Sequence, residues 1–306
     1  MRKVLFFLCL LFAGSAAAAG AATQTSFFAL DVPGADSTEI HGVIRTGPLL
    51  QYVEVVGFFH DAHGTHGFVW SRGHFTTLNY PGAKNTWTLG INGHQEIVGT
   101  YAGSDGIGHG FHYAGGTYTN ITCPLTRGPG PGDVAPNAIN DAGTIVGDFG
   151  SEGFARVGTQ CVFAIHGNAL YLNAVNNNGA AATTFVDGRN TIHGLALLPL
   201  SPNPGETQVD VPGAAATWLT GINDAGQLVG YYRNGTRFFT STQGFVAGSG
   251  AFATLDYPGA FRTEPFAVDD PRPALGSYDV VGAYGALFGG NHGFIATVTP
   301  QAVNQP

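Results

Sequence analysis

A chain that repeats one statement several times must fold into something periodic. Residues 221–232 read "GINDAGQLVGYY", 138–149 read "AINDAGTIVGDF" and 90–101 read "GINGHQEIVGTY". Each is a short apolar run, a tight polar turn and a second apolar run. Four marks recur around them in a fixed order. The first is an alternating segment ending in Pro-Gly: "FFALDVPGA" from 27, "FTTLNYPGA" from 75, "TQVDVPGAA" from 207 and "FATLDYPGA" from 252. The second is a Thr four residues after that Gly, then Gly or Ala four further on: Thr38 and Gly42, Thr86 and Gly90, Thr217 and Gly221, Thr263 and Ala267. The third is Val-Gly after the turn, at Gly57, Gly99, Gly147, Gly230 and Gly282. The fourth is a Gly-Phe segment opened by His66, His109, Glu152, Gln243 or His292, with "HGL" at His193 as its weaker form.

The fourth mark counts six units, spaced roughly 41 to 50 residues apart, which is the range of propeller blades. Alternation such as "TTLNY" and β-branched enrichment favour strands. Asn-Asp-Ala-Gly suits a hairpin, because Asn, Asp and Gly tolerate positive φ. No stretch after the N-terminal segment carries a 3.6-residue apolar period. Four short strands per unit, six times over, predict an all-β six-bladed propeller, which leaves only short, protected edges. Seven blades is the alternative, should the Pro/Gly-rich stretch near 122–136 hide further strands. The repeats begin with a lone outer strand, Phe27–Pro33, and end with a lone third strand, Gly293–Val298. A ring can pair these two, making residues 23–306 one domain with a short C-terminal tail.

The first 22 residues are of another kind. Arg2 and Lys3 precede an apolar run, Val4 to Phe12, and then small residues, which reads as a secretory signal peptide cut between Ala17 and Ala22. No stretch approaches the roughly 20 apolar residues of a transmembrane helix. Without Arg2 and Lys3 the basic count is 10 against 20 acids, a charge near −10. That balance argues against nucleic acid as a partner. A secreted or periplasmic monomer is expected, meeting an extracellular polysaccharide or a cell-surface protein. Cys123 and Cys161 remain after cleavage, and either pair or stand as two buried thiols.

Taken together, Pro-Gly-Ala-x-x-Thr, Gly-Ile-Asn-Asp-x-Gly and His-small-Phe resemble the bacterial extracellular repeat family named for its His-Ala-Phe triplet. The triplet stands here as His66-Gly67-Phe68, His109-Gly110-Phe111 and His292-Gly293-Phe294. The resemblance covers about residues 27 to 298 and implies an exported β-repeat protein. It brings no general activity with it.

Chemistry is expected on the face formed by the blade-to-blade connections and the loops joining second to third strands. Those loops are variable and polar, as in "HDAHGTH" at 60 and "AGSDGIGH" at 102, and variable loops on a rigid scaffold carry binding. The residue after the recurring Thr enters the inner strand near that face: Glu39, Trp87, Trp218 and Glu264, with Tyr171 aligned in the fourth unit. Three aromatics and two carboxylates around one axis suit a carbohydrate, by ring stacking and hydroxyl hydrogen bonds. The plainer alternative is aromatic packing between blades with solvated carboxylates. Arg262, His66 and His109 complete the candidate binding set, and Glu39 with Glu264 is the candidate catalytic pair for a propeller glycoside hydrolase or polysaccharide lyase. A non-enzymatic binding or scaffold module is the leading reading. Catalysis predicts Glu39, Glu264, Arg262 and a histidine in one pocket; binding predicts exposed Trp87 and Trp218 with scattered carboxylates. The repeated histidines are expected to hold loop backbone rather than metal. No short zinc spacing or acidic calcium loop is present, so neither metal nor cofactor is expected.

Overall fold

The computed structural model describes residues 23–123, 134–150, 152–163, 169–198, 205–235, 240–248 and 250–300. The expected signal peptide, the "GPGPG" at 128–132 and the C-terminal tail lie outside the described residues. The chain opens on β1 (Thr23–Ala29). Blade 1 is β2 (Ser37–Thr46), β3 (Tyr52–Asp61), β4 (Gly64–Ser71) and β5 (His74–Leu78). Blade 2 is β6 (Thr86–Ile91), β7 (Ile97–Ala102), β8 (Gly108–Ala114) and β9 (Thr117–Asn120). Blade 3 is β10 (Val134–Ile139), β11 (Ile145–Phe149), β12 (Glu152–Val157) and β13 (Gln160–Phe163). Blade 4 is β14 (Ala169–Val175), β15 (Ala181–Val186), β16 (Ile192–Leu198) and β17 (Gly205–Val209). Blade 5 is β18 (Ala216–Ile222), β19 (Leu228–Arg233), β20 (Gln243–Gly248) and β21 (Ala251–Thr254). Blade 6 is β22 (Arg262–Val268), β23 (Tyr278–Gly285) and β24 (His292–Pro300), completed by β1.

The protein is therefore a six-bladed β-propeller. β1 pairs antiparallel with β24, from Thr23 opposite Pro300 to Ala29 opposite Phe294, so the first strand closes the last blade. That strand stops short of the expected Pro33. Leu30 N still donates to Gly293 O, but the Asp31 side chain then takes Gly293 N and the backbone turns away.

Each repeated mark corresponds to one contact. Ala35 N donates to Val32 O across Pro33 and Gly34, whose φ of 81° is what a type II turn demands at its third position. The buried Thr38 hydroxyl then accepts Val32 N at 3.0 Å, fastening the outer strand to the next inner strand. Thr86, Thr217 and Thr263 do the same for Tyr80, Val211 and Tyr257. The Gly-Phe mark supplies the blade cores: Phe68, Phe111, Phe154, Phe245 and Phe294 are fully buried, and Leu195 replaces them in blade 4. Each such burial contributes about 1.5–3 kcal/mol.

The turn Asn links blades. Its Nδ2 donates to the corresponding backbone carbonyl of the next blade: Asn92 to Asn140, Asn140 to Asn176, Asn176 to Asn223 and Asn223 to Asp269. Blade 1 has no such Asn, because its hairpin is longer. Blade 6 has Asp269 where blades 2 to 5 have that Asn, and Arg45 of blade 1 meets it, with its side chain 7% exposed and its Nε 2.7 Å from the carboxylate. The same guanidinium pairs with Asp279, which Arg272 also meets at 3.1 Å. The run of amides from blade 2 to blade 6 is thus continued by an ion network at the seam between last and first blades, and Gln95 Nε2 of blade 2 donates to the buried Glu54 of blade 1. Cys123 and Cys161 are joined as a disulfide with Cα atoms 5.7 Å apart, tying the exit of blade 2 to the outer strand of blade 3.

Candidate functional site

Strand register decides what faces the axis. Glu39 lies opposite Phe58, Trp87 opposite Thr100, Trp218 opposite Tyr231 and Glu264 opposite Ala283. Tyr171 holds the equivalent place opposite Thr184 in blade 4, and Ala135 opposite Asp148 in blade 3. All six occupy one level of the ring. Side chains two residues further along a strand share its face. That next level is His41, Leu89, Asn137, Asn173, Thr220 and Phe266, around an axial void of about 90 Å³. Below it Val43, Ile91, Ile139, Val175, Ile222 and Val268 form an aliphatic ring. The axis then widens into a funnel of about 490 Å³ among the turns that join first and second strands. The site was expected on the loop face; this cavity opens on the opposite, turn face. Six hairpins standing around an axis leave a hollow however short they are.

On the loop-face level, the polar groups gather at blades 5, 6 and 1. Asn291 donates its Nδ2 to Glu39 Oε1 at 2.5 Å, and its Oδ1 accepts from Arg262. Glu39 Oε2 lies 3.2 Å from His41 Nε2. The His41 ring stacks on Phe266 at 4.2 Å and on Phe58 at 5.0 Å, which fixes its plane. Trp218 stacks on Tyr231 at 5.1 Å, and the Arg233 guanidinium sits 5.2 Å over its ring.

The two glutamates are driven in opposite directions. Burial works to raise Glu39, but hydrogen bonds from His41 and Asn291 and the His41 charge outweigh it, so Glu39 sits below the usual carboxylate range. Burial raises Glu264, and the negative Glu39 adds to this against the pull of Arg262 and Arg233. Tyr231 is likewise pushed up, by burial and then by Glu264.

Glu39, Glu264, Arg262 and Trp218 are thus brought to one region of the ring. Trp87 stands at the same level, half-buried, and Tyr171 is 49% exposed. The carboxylates are adjacent rather than scattered, and neither Trp is exposed outright. His66 and His109 do not join this region. They lie on the third strands of blades 1 and 2, His66 Nε2 3.3 Å from Asp61 and His109 Nε2 3.0 Å from Asp105. His193 pairs with Asp210 at 2.7 Å and His292 with Asp31 at 2.9 Å. The repeated histidine therefore meets a carboxylate, where a backbone partner was expected: the loops and outer-strand ends beside it supply an Asp in each case. Among the described residues no group of three or more His, Cys, Asp or Glu side chains is arranged to hold a metal ion. Among them, too, no helix is long and apolar enough to cross a membrane.

His41, Asn291, Arg233 and Tyr231 were not singled out from the sequence. His41 was within reach, since it alternates with Glu39 on the same strand. Asn291 carries no local signal, because ring closure brings it to Glu39 from 252 residues away.

No known family model matches the chain, and no curated protein matches it in sequence. Solved structures do resemble it. A protein of unknown function from Dyadobacter fermentans DSM 18053 aligns with a TM-score of 0.59 at 9% identity, over 91% of this chain and 99% of that one. AofleA from Arthrobotrys oligospora aligns at 0.53 and 11% identity, over 92% of this chain and 94% of its own. The six-bladed, fucose-recognising lectin of Aleuria aurantia aligns at 0.44 and 10% identity, over 82% and 90%. At such identities a likeness bears on the fold alone.

Proposed function

We propose that the protein is an exported binding module that holds a saccharide at the loop-face mouth of its axis. The observation that carries this reading is the shared level of Glu39, Trp87, Tyr171, Trp218 and Glu264 on five inner strands. Trp218, Trp87 and Tyr171 offer faces for sugar rings; Glu39 and Glu264 accept hydroxyl hydrogen bonds and Arg233 and Arg262 donate them. Retention of the purified protein on a polysaccharide panel tests it. Trp218→Ala is expected to weaken retention several-fold, by removing the aromatic face on which a sugar ring would lie. Retention unchanged in Trp218→Ala and Trp87→Ala would remove the site from this mouth.

One observation favours cleavage as a second reading. Neighbouring carboxyls pushed apart in proton affinity are the usual basis for dividing acid and base roles. Glu264, held up, would protonate the leaving oxygen, and Glu39, held down, would serve as base or nucleophile. New reducing or unsaturated ends from a retained polysaccharide, lost in Glu264→Gln and Glu39→Gln, would support it. Retention without product leaves the binding module.

A further inference from the structure

The funnel on the turn face is chemically unlike the mouth just described. Its floor is the aliphatic ring of Val43, Ile91, Ile139, Val175, Ile222 and Val268, one side chain from each blade. Its wall is uneven. Over blades 3 to 6 it presents Asp141, Asn177, Asp224 and Asp270; over the lengthened turns of blades 6 and 1 it presents Leu50, Pro271 and Pro273 beside Arg45 and Arg272.

The charges on this wall do not cancel. Arg45 and Arg272 are engaged with Asp269 and Asp279, and burial raises Asp269 to about 7. Asp141, Asp224 and Asp270 have no cationic partner among the described residues. Each spends one oxygen on the neighbouring blade: Asp141 Oδ1 accepts Gly93 N, Asp224 Oδ1 accepts Asn177 N and Asp270 Oδ1 accepts Asp224 N, at 2.6, 2.6 and 2.7 Å. Asn177 Nδ2 then bridges Asp141 Oδ2 and Asp224 Oδ2 at 3.2 and 3.0 Å. The Asp270 carboxyl also shares a side-chain hydrogen bond with Asp224. Burial, and after it the charge and side-chain hydrogen bond of Asp224 and then the charge of Asp141, push the Asp270 carboxyl up, so negative charge is crowded here. A cation between them would relieve that crowding.

The kind of cation follows from the rest of the cavity. These carboxylates form no grouping able to hold a metal ion. A strongly hydrated ion also gains nothing from an aliphatic floor. A protonated amine on a short hydrocarbon body uses both surfaces. We infer that the turn-face funnel is a binding site for aliphatic ammonium compounds, with the alkyl chain on the six-residue aliphatic floor and the ammonium among Asp141, Asp224 and Asp270. The aliphatic ring separates this site from the loop-face mouth, so the inference stands apart from the saccharide reading.

Calorimetric titration with n-butyl-, n-hexyl- and n-octylammonium at neutral pH tests it. Affinity is expected to rise about threefold to fourfold per added methylene until the floor is covered. n-Hexanol and n-hexanoate should bind at least about tenfold more weakly than n-hexylammonium, and added salt should weaken the amine. Asp270→Asn keeps the oxygen that receives the Asp224 N–H and removes the charge; Asp224→Asn keeps the oxygen that receives the Asn177 N–H but loses the bond its second oxygen accepts from Asn177 Nδ2. Each should weaken n-hexylammonium about tenfold, while Trp218→Ala leaves it unchanged. Methyl NMR of the unaltered protein gives a readout independent of any variant: n-hexylammonium should shift Ile91, Ile139 and Ile222. No binding at millimolar amine, equal binding of hexanol, unshifted isoleucine methyls, or undiminished binding by both Asp→Asn variants would each overturn the inference.

Discussion

Gly230→Ala is the substitution whose outcome the backbone geometry decides most directly. Gly230 is the Gly of a Val-Gly mark and lies opposite Leu219 on the inner strand of blade 5. A Cβ built there would stand 2.0 Å from the carbonyl oxygen of Trp218 and 2.9 Å from two atoms of the Phe245 ring. Non-bonded contacts to a Cβ begin near 3 Å, so β18 and β19 must separate by about 1 Å or the inner strand must rotate. Neither neighbour yields easily, because one is backbone and the other is the fully buried Phe of the blade core. Overpacking of this kind costs about 1–3 kcal/mol, and a weakened ladder bond adds about 1. A loss near 3 kcal/mol lowers the melting temperature by roughly 6–9 °C. The displaced carbonyl belongs to Trp218, so saccharide retention should fall even where the fold survives.

Blade 4 supplies an internal comparison. Thr183 occupies the matching register, opposite Leu172, and its hydroxyl donates to the Tyr171 carbonyl. The pairing of β14 with β15 carries an extra irregularity between Ala169 and Tyr171, which β18 and β19 lack. Room for a side chain is made there by a second bulge, so Gly230→Ala has no such relief. Gly108→Ala is the control: no atom lies within 4 Å of its Cβ position, and its φ is outside the left-handed region. That variant should be neutral or gain up to about 1 kcal/mol through the unfolded chain. Thermal unfolding of both variants side by side decides the matter. Gly230→Ala melting within about 1 °C of Gly108→Ala would refute the close-approach reasoning.

Three further outcomes follow from buried groups and the crosslink. Arg45→Ala leaves Asp269 and Asp279 buried with only Arg272 beside them, and should cost about 3–5 kcal/mol in urea unfolding; a loss below about 1 would contradict the seam network. Reducing the Cys123–Cys161 bond, 38 residues apart in sequence, should cost about 4 kcal/mol on the loop-entropy account, read as a fall in melting temperature with reductant that Cys161→Ser reproduces. Burial raises Asp148 from 3.8 to about 7 despite donors from Asn137 and Leu172, so the folded state binds the proton more readily than the unfolded one. Its ionisation therefore drains stability as pH climbs from about 4 to about 7, by about 4 kcal/mol if the whole shift is expressed. Asp148→Asn should flatten that decline relative to the unaltered protein, and parallel pH profiles for the two would show the group to be unperturbed.

The fold was legible because each repeated mark is a short-range constraint with a single partner. Pro-Gly needs its turn, Thr38 its Val32 amide, Phe68 its blade core, and all of these lie within one unit or its neighbour. The closing pair was legible from counting strands, since β1 and β24 are the two left over. The level of Glu39, Trp87, Tyr171, Trp218 and Glu264 followed from the same alignment. What escaped were contacts made by closure itself. Asn291 with Glu39 and Arg45 with Asp279 join residues 252 and 234 apart, and no spacing rule reaches that far. The funnel escaped for a different reason: its wall is built from the very turns that look uniform when read one unit at a time.

The same closure explains why the chemistry is uneven around the axis. Six identical blades would present six identical sectors, with neither an oriented acid and base nor a charged and an apolar side. Blades 3 and 4 also depart from the repeat, at Ala135, Thr183 and Leu195, but the departures that bring charge and longer turns fall where the last blade meets the first. There Glu39 and Glu264 stand where Trp87, Tyr171 and Trp218 stand in other blades, Arg45 with Asp269 makes the link that Asn makes elsewhere, and the lengthened turns bring Leu50, Pro271 and Pro273 to the funnel. The seam carries the longest outer-strand pairing among the described residues, seven positions of β1 on β24 against four or five in the other blades, and this extra pairing helps it tolerate such departures. The strand that completes the ring thus offsets the local cost of burying Arg45, Asp269 and Asp279 together. Loosening β1, by Phe27→Ala at its edge-on contacts with Tyr257 and Phe294, should therefore weaken saccharide retention and amine binding together. Trp218→Ala and Asp270→Asn should each affect one alone.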